Sequence, residues 1–176
     1  MDLRKLLVRC AGGAVIALAG IGIVEHSMAR SSATETVRLN DISLQSVSGA
    51  TETLGRYAGK VVIVNFWAPW CAPCRREVPD FVALQQKYGD KVQFVGVALD
   101  DPEPVASFSK QYGMNYPLYL AGNAGVALML REGDTRGVVP YTLVIDGQGT
   151  KIASTAGQVD KDRLDALLAQ LTSQGH

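Results

Sequence analysis

Two cysteines separated by Ala72 and Pro73 are the residues of this chain with the clearest capacity for chemistry. Residues three apart share one side of a helical turn, at a separation that a disulfide can bridge. Cys71 and Cys74 can therefore form and break a bond without moving the rest of the chain. If a helix begins at Cys71, its sulfur meets unpaired backbone N–H groups and the positive end of the helix dipole, both of which favour thiolate over thiol. Cys71 is then the nucleophile, and Cys74, one turn further in, attacks the mixed disulfide and releases the product. Pro73 stiffens the linking turn and loses no hydrogen bond there. The predicted reaction is thiol-disulfide exchange, which needs neither cofactor nor metal.

Two close cysteines have other possible uses. A structural zinc needs four ligands, yet the remaining candidates are Cys10, His26 and His176, at the two ends of the chain. A copper-handling module is the alternative from the binding-protein class, because two thiolates can hold Cu(I). Such carriers usually add a His or Met, and neither Met114 nor Met129 has an evident route to the pair. An oxidase or isomerase would use the same two sulfurs. A peroxidase would want a threonine or serine three residues before the first cysteine, where Ala68 stands. As a structural staple, the pair closes too short a loop to stabilise much.

The elements that must hold these residues follow from periodicity. Val61 to Phe66 is a β-branched run of the kind found in a central strand covered on both faces. Trp67 to Trp70 turn the chain, and a helix is predicted as far as Tyr88, with Val78, Phe81, Leu84 and Tyr88 at helical spacing, Pro79 as a kink and Gly89 as the stop. A second buried strand runs from Val92 to Leu99. Asp101-Pro102-Glu103 then supply a cap, a first-turn proline and an acid for a helix to Tyr112. Tyr116 to Leu120 read as a short strand and Gly125 to Leu130 as a short helix. Tyr141 to Asp146 and Thr150 to Ser154 read as a hairpin around Gly147-Gln148-Gly149, and a last helix is capped by Asp160 with Leu164, Leu167, Leu168 and Leu171 along one stripe. A two-stranded flap is predicted around Ser48-Gly49. This order indicates an α/β fold with a mixed central sheet flanked by helices.

With 17 basic and 17 acidic residues the chain gives no reason to invoke nucleic acid, whose binding normally leaves a basic excess. At the N-terminus, Arg4, Lys5 and Arg9 precede an uncharged apolar run from Cys10 to Val24, followed by Ser27 and Ala29 at the spacing of a cleavage site. Residues 1–29 are therefore expected to be a signal peptide, or a membrane anchor if residues 6–24 are retained. Residues 30–35 are read as a linker and 36–176 as one domain. Export removes Cys10 if the signal is cleaved, leaving one close pair in a compartment where a disulfide framework would show several cysteines at longer spacing.

The segment Trp67-Ala68-Pro69-Trp70-Cys71-Ala72-Pro73-Cys74-Arg75-Arg76-Glu77-Val78-Pro79 resembles the active-site segment of the TlpA/ResA/DsbE-type relatives of thioredoxin. Gly137-Val138-Val139-Pro140-Tyr141-Thr142-Leu143-Val144-Ile145-Asp146 resembles their second signature. The resemblance implies a thioredoxin-like fold with an N-terminal β-hairpin and an inserted strand-helix unit. It also implies that Pro140 is cis and lies beside the cysteines, that Val139 pairs with an extended substrate, and that Trp70 forms an apolar rim. Asn65 departs from thioredoxin, which carries a buried aspartate there; Glu77 is the candidate acid in its place, with solvated glutamate as the plain alternative. Arg75 and Arg76 are read as solvated. By resemblance the function is reduction of protein disulfides, of the cytochrome c maturation type, with apocytochrome c or a copper-site protein as client. The electron donor implied is a DsbD/CcdA-type membrane protein, and the location periplasmic or otherwise extracytoplasmic.

Overall fold

In the computed structural model, residues 37–173 are described, and the predicted export segment and linker lie outside them. In chain order the elements are β1 (Ser43–Ser46), β2 (Thr51–Thr53), β3 (Val61–Trp67), α1 (Ala72–Tyr88), β4 (Val92–Ala98), α2 (Pro102–Tyr112), β5 (Leu118–Leu120), α3 (Gly122–Arg131), β6 (Tyr141–Ile145), β7 (Lys151–Ala156) and α4 (Lys161–Ser173). The strands form one seven-stranded sheet in the order β2-β1-β5-β4-β3-β6-β7. Pairings β3/β4 and β4/β5 are parallel, while β6 runs antiparallel to β3 and β7 to β6. The flap is present as the β1/β2 hairpin, and β1 also pairs with β5, so the hairpin extends the main sheet.

Strand β3 is buried along all seven residues, as its unbroken apolar run predicts. Successive side chains point to opposite faces. Val62, Val64 and Phe66 enter a core completed by Leu44 of β1, Tyr119 of β5 and Leu128 and Met129 of α3. On the other face Val61 and Ile63 meet Phe81 and Leu84 of α1 and Leu164 and Leu168 of α4. Trp67 continues that face toward Phe108 of α2, with ring centroids 5.0 Å apart. Each of these aliphatic side chains contributes about 1.5–3 kcal/mol by leaving water. Asn65 points to the α1/α4 face and is the single polar residue of the strand.

Most element boundaries follow the local signals, but α3 begins at Gly122, three residues ahead of the predicted Gly125. Asp160 caps α4 as expected, accepting the Arg163 amide at 2.9 Å. Asp101 stands at the start of α2 but its side chain makes no capping bond. The strand predicted from Tyr116 is shorter, starting at Leu118, after Pro117, which has no N–H to give to the ladder. Pro79 lies within α1 without ending it, and Gly89, at φ 49°, terminates the helix in a conformation costly for other residues.

Gly96 on β4 marks a close approach. A Cβ there would sit 2.6 Å from Leu118 Cδ2 and 2.9 Å from Trp67 Nε1. The absent side chain leaves the space that the Trp67 indole and the Leu118 side chain occupy, just before the cysteine turn. Gly96→Ala is expected to lower stability by about 1–3 kcal/mol through this overlap. Urea unfolding is the measurement, and an unchanged midpoint would contradict the packing described.

Candidate functional site

Helix α1 is capped by Cys71 itself. The Cys71 backbone is extended (φ −77°, ψ 106°), and its Sγ accepts the Cys74 amide at 3.3 Å. Sulfur thus takes the place that a serine or aspartate oxygen fills at other helix starts, and it faces amides that the helix leaves unpaired. In this state the two sulfurs are joined, with Cα atoms 5.3 Å apart. Cys71 is 5% exposed and Cys74 fully buried, so an incoming disulfide can reach only the first.

Across from Cys71 stands the turn before β6. The Val139–Pro140 peptide is cis, as the resemblance implied. The Val139 carbonyl oxygen lies 3.7 Å from Cys71 Sγ. Val139 is half-buried and Pro140 buried, and the Pro140 carbonyl accepts the Gly157 amide at 2.8 Å. An extended chain lying along Val139 would have its own backbone beside the sulfur.

Behind the cysteines lies a buried polar group. Glu77 is fully enclosed, which excludes the solvated alternative. Its Oε1 accepts the Asn65 amide at 2.9 Å, and its Oε2 accepts the Val159 backbone amide at 3.1 Å. Asn65 also donates to Thr142 Oγ1 at 3.0 Å, which satisfies both hydrogens of its amide. The departure at Asn65 therefore comes with an acid delivered to the same place from α1. Burial raises the Glu77 carboxyl to about 7, against the opposing pull of its two hydrogen bonds, and the Asp80 charge adds a little. A carboxyl there can hold or give up a proton near neutrality.

Trp67 is buried, whereas Trp70 is 67% exposed beside Cys71. Val138 adds a second exposed apolar side chain next to Val139. Arg75 and Arg76 are exposed at the surface, as expected, and each makes a surface hydrogen bond. Arg75 donates to the Tyr112 hydroxyl at 3.2 Å, and Arg76 Nε donates to Gln158 at 3.1 Å. Thr142 and Val159 were missed by sequence reasoning. Thr142 was within reach, since β3 and β6 pair Asn65 with Thr142 in register. Among the described residues there is no group of three His, Cys, Asp or Glu side chains placed to hold a metal ion. Met114 packs at the edge of the apolar cluster that includes the cysteines, and Met129 lies on the other face of the sheet.

Comparison with known proteins agrees with this arrangement. The AhpC/TSA family profile matches residues 36–153. The chain is 38% identical over 84 residues to the thioredoxin-like protein YneN of Bacillus subtilis, covering 46% of this chain and 49% of YneN. It thus spans about half the length of that relative. It is 30% identical over 130 residues to the thiol-disulfide oxidoreductase ResA of Bacillus thuringiensis, covering 72% of each. A crystal structure of a thioredoxin-family thiol:disulfide interchange protein from Chlorobium tepidum superposes with a TM-score of 0.70 at 28% identity, covering 78% of this chain and 97% of that one. The family match over residues 36–153, together with 30% identity to ResA across 72% of both chains, places the chain in the AhpC/TSA family, among the ResA-type thiol-disulfide oxidoreductases.

Proposed function

We propose that this protein is exported and reduces disulfides of other proteins through the Cys71/Cys74 dithiol. The observation that carries the reading is the unequal access of two linked sulfurs, one at the cleft beside Val139 and one sealed behind it. In the reduced enzyme the Cys71 thiolate attacks a client disulfide, forming an intermolecular S–S bond and expelling one client thiolate. Cys74 loses its proton and attacks Cys71 Sγ. The mixed disulfide breaks, the second client sulfur leaves as thiolate, and two electrons have passed to the client. The joined sulfurs described above are the product of that step.

Glu77 is the group that receives the Cys74 proton. It lies one turn further along α1, shielded from water and with its carboxyl poised near neutral pH. Val139 offers its backbone to an extended client segment, and Trp70 and Val138 give that segment an apolar rim. Residues 1–29 supply export or an anchor, 30–35 the linker and 36–176 the working domain. The periplasmic or other extracytoplasmic side of the membrane is the place of action. The client is of the cytochrome c maturation type, apocytochrome c or a copper-site protein, and a DsbD/CcdA-type membrane protein returns the dithiol to its reduced state.

Four measurements test this reading. The Cys74→Ser variant should accumulate a mixed disulfide through Cys71 that mass spectrometry of the trapped complex identifies, whereas a Cys71→Ser variant should trap nothing. Direction is set by equilibration with glutathione: a reductant should show a potential more negative than about −200 mV, and a value near that of a strong oxidant, about −120 mV, would overturn the reducing assignment. Glu77→Gln should slow release of the mixed disulfide by about 100-fold at pH 7 and abolish the rise in that rate across neutral pH. The same variant has a stability signature. A carboxyl raised on folding binds more protons in the native state, so its stabilising contribution is full below pH 4.5 and is lost as pH climbs through about 7. Wild type should therefore lose about 3 kcal/mol relative to Glu77→Gln across that window.

A further inference from the structure

The turn that carries Val139 is built on a carboxylate with no part in the sulfur chemistry. Asp134 is 3% exposed, although the residues around it in the segment from Gly133 to Val138 lie at the surface. One of its oxygens accepts the Arg136 amide at 3.2 Å and the other the Val138 amide at 2.7 Å. The Asp134 amide is itself anchored to the Met129 carbonyl at the end of α3, at 3.1 Å. Asp134 thus ties the surface turn to the end of a helix, its amide holding α3 and its carboxylate holding the turn.

On the far side of the cysteine-facing peptide, Gly157 holds the Pro140 carbonyl. Val139 is suspended between two fixed points, the Val138 amide and the Pro140 carbonyl. Charge-assisted bonds to a buried carboxylate are strong, and leaving either amide without its acceptor is costly. The turn also contains Gly133 and Gly137, at φ 117° and 64°, and without the carboxylate these would leave the backbone many alternatives.

We propose that Asp134 is a positioning residue for substrate docking: its buried carboxylate fixes the Arg136–Val139 backbone so that an extended polypeptide disulfide can pair with Val139 beside Cys71. The inference rests on the reading of Val139 as the docking strand. Its consequence is selective. A client with a peptide backbone depends on the fixed turn, because a loose turn must be ordered at each encounter and the cost falls on binding. A disulfide without a backbone has no strand to pair and does not depend on it.

The test uses the reduced full-length chain and two substrates, a cystine-bridged extended peptide and 2-hydroxyethyl disulfide. Asp134→Ala should raise KM for the peptide about tenfold with kcat held within about twofold, and leave the rate on 2-hydroxyethyl disulfide unchanged. Asp134→Asn keeps one carbonyl acceptor and should raise KM about threefold; it carries the comparison by itself if the alanine variant does not fold. An unchanged peptide KM, or an equal loss on both substrates, overturns the proposal. A peptide N-methylated next to its cystine separates the two layers of the argument. If N-methylation weakens binding to wild type while Asp134→Ala leaves KM unchanged, the role of Asp134 fails alone. If N-methylation has no effect on wild type, docking on Val139 fails, and the positioning role with it.

Discussion

A sulfur atom closes the first turn of α1, and the surrounding architecture follows from the demands of that position. Cys71 takes up the amide of Cys74 where a hydroxyl or carboxylate oxygen usually stands. The cap holds a reactive atom against converging N–H groups while its partner sits one turn inside, away from solvent. Such an arrangement needs a helix that cannot drift. α1 obtains it from Val78, Phe81 and Leu84, all buried against the sheet or its flanking helices. The same face of the helix delivers Glu77.

Burying a carboxyl under that helix is expensive unless donors meet it. Two donors from distant parts of the chain do so, Asn65 on the central strand and the Val159 amide ahead of α4. Neither carries a compensating charge, so the carboxyl stays close to the balance between its protonated and ionised forms. An arginine in the place of Asn65 would have pinned it as an anion. The amide at position 65 is thus consistent with an acid that must change its state during turnover.

Much of this was legible in the residues. The pair at Cys71 and Cys74, the β-branched run before it and the helical spacing after it carry their information within a short window. The second motif marked Pro140 through its likeness to a family pattern, and the cis peptide agrees. What escaped were contacts between residues far apart in sequence. Glu77 and Val159 are separated by 82 positions, and nothing local in either shows that they meet. Whether Glu77 is exposed stays open in the sequence, because three residues of spacing fix a helical side but not what packs over it. Asp134 sits in a polar, glycine-containing stretch that reads as an ordinary surface loop; only the inward turn of its carboxylate distinguishes it. Asp101 shows the reverse, a residue of the right type at a helix start whose side chain does not engage.

The connection between β7 and α4 binds two different parts of the site within three residues. Its Gly157 amide holds the cis-proline carbonyl, and its Val159 amide holds the buried acid. This stretch therefore has a length that evolution or engineering cannot alter cheaply: adding or removing one residue would release both grips together. The hairpin bend at the opposite end of β7 holds neither, so peptide tags and loop grafts belong there.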